Sequence, residues 1–214
     1  YEYIKSDLIH FSYKGDKYKI LTQIDLPIEK LKQIVQKKLS IWNMSVNSFD
    51  FYFYNFLLPS EKLYSSFQIP CSSVISIKKN EDSIPVIIST PDHIYSEEYF
   101  FTDDETTENV KELLMNKFRP DYDIDLRTNH EQKAYFDIEN LKLSKHMKLY
   151  FFCRKTYIRC GGDLGEDDVA ISEIVLISDA TNYLKKVLNR EDIAIFTFDE
   201  VERCYEKAQL DKRL

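Results

Sequence analysis

Twice in succession the chain runs through the same order of hydrophobic periods, and this repetition narrows its possible folds more than any single motif. The first pass opens with Asp7–Gly15, turns at Gly15-Asp16 and returns through Lys17–Ile24. Two such runs around a Gly-Asp turn predict a β-hairpin. Asp25-Leu-Pro27 then suits a helix entry, since proline is tolerated where the first amides have no helical acceptor. Ile28, Leu31, Ile34, Val35 and Leu39 recur at the helical period. Phe49–Asn55 predicts a strand with Phe49, Phe51 and Phe53 on one face. After a loop holding Leu63 and Phe67, Ser73–Lys78 predicts the last strand of the pass.

The second pass repeats that order. Val86–Thr90 and Tyr95–Phe101 flank the turn residues Pro91-Asp92, which predicts another hairpin. Thr102–Asn109 concentrates acids where a helix N-terminus favours them. Val110, Leu113, Leu114, Lys117 and Phe118 continue that helix until Arg119-Pro120 stops it. Asp121–Arg127 alternates as a strand, and Met147–Cys153 closes the unit. A helix laid across one face of a mixed sheet is a stable two-layer solution at this length.

The ends of the two passes are their most specific stretches: Leu63–Ile77, and Tyr135–Leu149. Each runs from an apolar-anchored short turn through a few polar residues into a strand. In element order, spacing and length, each pass resembles the ubiquitin-like β-grasp family, over roughly residues 7–155. The resemblance implies an α+β fold of two consecutive ubiquitin-like β-grasp domains with a short α/β C-terminal segment. The expected boundaries are 1–80 and 81–160, with 161–214 an acidic linker and α/β tail or a partial third unit.

Within the tail, Ile171–Ser178 predicts a strand and Asp179–Leu188 a helix, followed by a strand over Ile193–Phe198 and a helix over Asp199–Gln209. About fifty residues rarely hold a stable core alone. Three of the four glycines, Gly161, Gly162 and Gly165, fall in Cys160–Asp168, which reads as a flexible linker.

Hydrophobic residues at 43% and charged residues at 30% argue against a disordered chain. The net charge is −7, distributed as +4 over residues 1–80, −5 over 81–162 and −6 over 163–214. Phosphate contact needs clustered cations, so no nucleic-acid partner is expected. No apolar run approaches the roughly 18–20 residues of a membrane span. The four cysteines contain no C-x-x-C pair, and no secretory leader is in view; both favour reduced thiols and a cytoplasmic setting.

No motif of catalysis or metal binding survives inspection. Asp121-x-Asp123-x-Asp125 begins like a calcium loop, but the glycine position holds Leu126 and the bidentate glutamate position holds Gln132. The four histidines are scattered, and no His/Cys spacing matches a zinc site. No G-x-S-x-G, P-loop or G-x-G-x-x-G occurs. The chain is therefore expected to be no enzyme and to carry no cofactor or metal.

What remains is an interaction module. Lys30, Lys32, Lys37 and Lys38 give the first helix a basic face, suited to anionic lipid or to the chain's own acidic second unit or tail. Trp42 follows that helix, and Tyr52 points outward from the strand Phe49–Asn55. The resemblance also draws attention to the diglycine Gly161-Gly162, the place where a ubiquitin-type modifier precursor would be processed. Plain linker chemistry is the better explanation of those glycines, because linkers favour glycine in any case. In ubiquitin the partner surface is an aliphatic patch on the solvent side of the sheet. The corresponding positions here are Tyr52 and Ser76, and in the second pass Asp125 with Lys148 or Tyr150, so dedicated partners are expected. The leading expectation is protein–protein scaffolding within a larger intracellular protein. The alternatives are a FERM-type membrane–cytoskeleton adaptor lobe, a modifier precursor and an accessory region of a deubiquitinating enzyme.

Overall fold

The computed structural model describes residues 6–120, 123–128, 140–159, 168–199 and 204–213. The chain is α+β and divides into two compact units. The first takes Tyr1–Val86, Glu98–Arg119 and Glu139–Met147; the second takes Ile87–Glu97, Pro120–Ile138 and Lys148–Leu214.

The opening hairpin forms as expected, from β1 (Ser6–Tyr13) and β2 (Asp16–Gln23). Gly15 sits at φ +91°, a conformation that side chains disfavour, so glycine suits the turn. Helix α1 (Ile28–Lys38) follows Pro27 directly. Next come β3 (Phe49–Phe53), the two-residue β4 (Phe56–Leu57), a short 3-10 turn at Tyr64–Phe67, and β5 (Val74–Lys79). The sheet order is β2-β1-β5-β3-β4. β5 runs parallel to β1, with Phe11 opposite Ile75, and antiparallel to β3, with Phe51 opposite Ile77. Strand alternation sends Ile9, Phe11, Phe49, Phe51, Ile75 and Ile77 to one face, where Ile28, Leu31 and Val35 of α1 cover them.

A four-stranded sheet follows with the order β7-β6-β9-β8, built from β6 (Ile84–Ser89), β7 (Ser96–Phe101), β8 (Asp125–Arg127) and β9 (Met147–Phe152). Helix α2 (Thr107–Phe118) ends at Arg119, which adopts a left-handed φ of 50° before Pro120. Its entry is fixed by the Thr106 amide, which donates to the Asn109 side chain at 2.9 Å.

The last stretch departs from expectation in three places. β10 (Lys155–Arg159) pairs antiparallel with β11 (Asp168–Ser172), so the glycine-rich stretch expected as a linker joins two strands of one hairpin. Gly161 and Gly162 themselves lie outside the described residues. The strand expected over Ile171–Ser178 stops at Ser172, because the Val175 amide donates back to the Ser172 carbonyl at 3.1 Å and closes a turn. Helix α3 (Ile177–Leu188) then starts two residues before its expected entry at Asp179. Finally, Cys204–Lys207 of the expected last helix is a strand, β13, paired with β12 (Phe196–Asp199). The Glu-, Arg- and Lys-rich composition favours helix, and cross-strand pairing overrides that weak preference.

One backbone device recurs at the three α-helices of the described residues. The residue before each helix forms an isolated antiparallel bridge: Pro27 with Leu63, Thr106 with Lys142, and Leu176 with Arg213. The first helical amide then donates to the carbonyl just before the bridge partner: Ile28 to Lys62, Thr107 to Leu141, and Ile177 to Lys212. Helix N-termini leave amides without intrahelical acceptors, and this arrangement supplies one each time.

Candidate interaction surfaces

The lysines of α1 do not form the single basic face read from their spacing. Lys30, Lys37 and Lys38 are exposed, but Lys32 is only 3% exposed. It follows Leu31 on the flank of the stripe made by Ile28, Leu31 and Val35, so its stem is drawn over the sheet. Its ammonium lies 3.0 Å from the Asp50 carboxylate and 5.3 Å from the centre of the Phe49 ring. Lys32 is thus a packed, paired residue.

Beyond α1, residues 43–48 are fastened to residues 100–105 within the first unit. The Ser45 amide donates to the Phe100 carbonyl and the Phe100 amide to the Asn43 carbonyl, each at 2.9 Å. Phe100 packs against the first core, and the Lys79 ammonium sits 3.9 Å from its ring centre. At the middle lies the Glu105 side chain, on a residue only 5% exposed. Its carboxylate accepts from the Ser45 hydroxyl and the Thr102 amide at 2.7 Å each, and from the Asn47 amide at 3.2 Å.

A cleft of about 360 Å³ opens beside this junction. Trp42 and Lys37 line it together with Gln33, Asn109, Glu112 and Asn116. Trp42 is half-buried there. The lining is mainly polar and carries both signs of charge, unlike the largely apolar pockets that hold small molecules.

Tyr52 stands apart from the lysines and Trp42. Alternation along β3 buries Phe49 and Phe51 on the helix side and turns Tyr52 to the opposite face, where the Lys78 ammonium covers its ring at 4.9 Å. Next to it the β3–β4 turn presents an apolar corner that the sequence reading did not single out. Tyr54 is 74% exposed and Phe56 76% exposed, with Leu57 also exposed and opposite Tyr52. Tyr54 takes a left-handed φ of 55°, and its ring lies 4.6 Å from that of Phe53. The available signal was the break of strict alternation at Asn55, which leaves Phe56 and Leu57 beyond the core-facing register.

The outward positions expected on the second sheet are also polar or aromatic. Lys148 is exposed and Tyr150 half-buried, while Leu149 and Phe151 face inward. Asp125 holds Arg127 through a 2.8 Å bond to Nε, and the Arg127 guanidinium lies 4.4 Å from the Phe152 ring centre.

The Cys71 and Cys153 thiols are both shifted away from activation. The Cys71 thiol donates to the Asp7 carboxylate at 3.1 Å, and that bond pushes its pKa up while lowering that of Asp7. Burial pushes the Cys153 thiol up as well. Both shifts move away from the nucleophilic thiolate. Among the described residues, no group of three or more His, Cys, Asp or Glu side chains is arranged to hold a metal ion. No helix among them is long and apolar enough to cross a membrane.

No protein-family model matches the chain, and no curated protein matches it. Among solved structures, the chain is similar to the UBL domain of Plasmodium falciparum Dsk2, with 13% identity and a TM-score of 0.32. That match covers 36% of this chain and 100% of the other. It is similar in the same degree to the solution structure of an N-terminal ubiquitin-like domain, with 12% identity and a TM-score of 0.32. That match covers 36% of this chain and 76% of the other.

Proposed function

We propose that the chain is a non-catalytic protein-interaction module of a larger intracellular protein, built on two consecutive β-grasp domains of the ubiquitin-like kind, residues 1–80 and 81–160. The domain part of this reading draws support from the first sheet's order, with its parallel central strand, and from the repeated bridges Pro27–Leu63 and Thr106–Lys142.

The interaction part rests on the exposed corner of Tyr54, Phe56 and Leu57 beside Tyr52. Large aromatic side chains exposed together, with polar neighbours, are the composition of binding hot spots. The corner is a more specific candidate than the α1 lysines, because Lys32 is spent on Asp50 and only three exposed cations remain for an acidic or lipid surface.

The test replaces Phe56 with a photocrosslinking phenylalanine analogue in the native cell, and mass spectrometry identifies what is captured. A single dominant protein whose capture disappears with Tyr54→Ser and Leu57→Ser supports the reading. Capture of only abundant background proteins, unchanged by those substitutions, removes the corner as an interaction site.

A further inference from the structure

Spacing along two helices of the first unit brings polar side chains together at its cleft. Glu29, Gln33 and Lys37 recur every four residues along α1, and Asn109, Glu112 and Asn116 at intervals of three and four along α2. Such intervals place each set on one helix face. Both sets line the cleft of about 360 Å³, together with Trp42 and the buried Glu105, so the lining holds three carboxylates and one ammonium. The Glu105 carboxylate is already occupied by donors from Ser45, Thr102 and Asn47. Glu29 and Glu112 differ: among the described residues, neither has an ion-pair partner. Lys37 does not neutralise Glu29, because eight residues separate them, about 12 Å along the helix axis.

A lining of this sign favours a cation, and its other members narrow which one. The side-chain amides of Gln33 and Asn116 add oxygen acceptors at exposed positions, and Trp42 adds a half-buried indole. A guanidinium is planar, carries five N–H donors, pairs with carboxylates and stacks on aromatic faces, whereas an ammonium is a compact, strongly hydrated point charge. The cleft's volume lies near the lower end of the range of about 300–1,000 Å³ for small-ligand sites, which suits one side chain rather than a folded element. Exposed Glu29, Gln33, Glu112 and Asn116 leave its rim open to solvent.

We propose that this cleft receives an arginine side chain of a protein partner. The guanidinium stacks on the Trp42 indole and donates to the Glu29 and Glu112 carboxylates, while the partner's backbone stays outside, across the exposed turns of α1 and α2. Trp and Arg are among the residue types enriched at binding hot spots. This inference rests on the reading of the chain as an interaction module but not on the Phe56 corner, since Tyr52 beside that corner lies across the sheet from α1. Failed capture at Phe56 leaves the cleft untouched, and failed binding at the cleft leaves the corner.

Trp42 is the chain's only tryptophan, so its fluorescence, excited beyond the tyrosine absorption, reads the cleft alone. The whole chain is titrated at fixed ionic strength with N-acetylarginine amide, and in parallel with its lysine and citrulline counterparts and with inorganic phosphate. A saturable change is expected with the arginine probe in the millimolar range, the scale for a single side chain. Citrulline keeps the shape without the charge and should bind at least about tenfold more weakly, as the loss of charge-assisted hydrogen bonds implies. Arginine binding should weaken as much in a chain carrying Glu29→Gln with Glu112→Gln. Both residues are exposed, so the urea midpoint should stay at the parent value and separate this loss from unfolding. Equal binding of arginine and citrulline, lysine binding as tight as arginine, saturable binding of phosphate, a change that never saturates, or arginine binding untouched by the double substitution would each overturn the proposal.

Discussion

The hydroxyl of Ser45 donates a 2.7 Å hydrogen bond to the buried carboxylate of Glu105, sixty residues further along the chain. With the Thr102 amide and the Asn47 side chain on the same carboxylate, Glu105 gathers donors from two separate parts of the first unit.

Hydrogen bonds to an ionised, buried acceptor are each worth more than neutral ones, and donors left without it remain desolvated. Glu105→Ala should therefore cost about 1.5–3 kcal/mol of unfolding free energy. Ser45→Ala removes one donor while the carboxylate keeps its others, and should cost about 1 kcal/mol. Urea denaturation at neutral pH measures both. A Glu105→Ala chain as stable as the parent would show that this junction does not contribute to holding the first unit together.

Lys32 and Asp50 make a sharper pair of expectations. Removing Asp50 leaves an ammonium buried at 3% exposure without its anion, whereas Lys32→Met removes charge and desolvation cost together and keeps the stem. Asp50→Ala should destabilise by up to about 3 kcal/mol, the low end for a broken buried pair, because the Asp50 side chain is 23% exposed. Lys32→Met should be neutral or slightly stabilising. Equal losses in the two variants would contradict this account of Lys32 as a packing residue.

These residues also mark where sequence reading succeeded and where it stopped. The first unit was legible because Phe49 and Phe51 keep a period of two while Ile28, Leu31 and Val35 keep the helical period, and both patterns end in one core. Lys32 was read as surface because charge usually is; its anion lies on β3, and no local pattern announces that pairing. Glu105 resembled one more acid before a helix, yet tertiary contacts make it a buried acceptor. The final strand β13 was missed because Glu, Arg and Lys suit helices, and only its partner β12 decides otherwise. Of the expected surface residues, Lys37 and Trp42 meet at the cleft, while Tyr52 lies across the sheet from α1.

The exposed corner should be separable from stability. Phe56 is 76% exposed, so Phe56→Ser should change unfolding free energy by no more than about 0.5 kcal/mol. Phe51, fully buried and 5.2 Å from Phe11 between ring centres, should cost about 3–5 kcal/mol as Phe51→Ala. Parallel denaturation curves compare them. A large loss for Phe56→Ser would reassign the corner to the fold.

Asp92 ties the β6–β7 turn to β11 within the second unit. Its carboxylate accepts from the Thr90 hydroxyl and the Ile94 amide on one oxygen, and from the Ser172 hydroxyl and amide on the other. Burial pushes its pKa up, but donation from Thr90, Ser172 and Ile94 outweighs burial and holds the carboxyl below the ordinary aspartate value. A depressed folded pKa means that the ionised form is favoured by folding. Its contribution is complete above the unfolded value of about 3.9 and fades as pH falls through the lower folded value. At pH 7, Asp92→Asn should therefore be less stable than the parent by about 1.5 kcal/mol, the scale of a hydrogen bond to a charged group. Below about pH 4 that difference should shrink, because the parent also becomes neutral at this position. Taking the difference between the two proteins at each pH cancels the titration of their other shared carboxylates. Denaturation from pH 7 down to pH 3 reads it, and a gap constant across that range would show that charge on Asp92 is not what fastens the turn to Ser172.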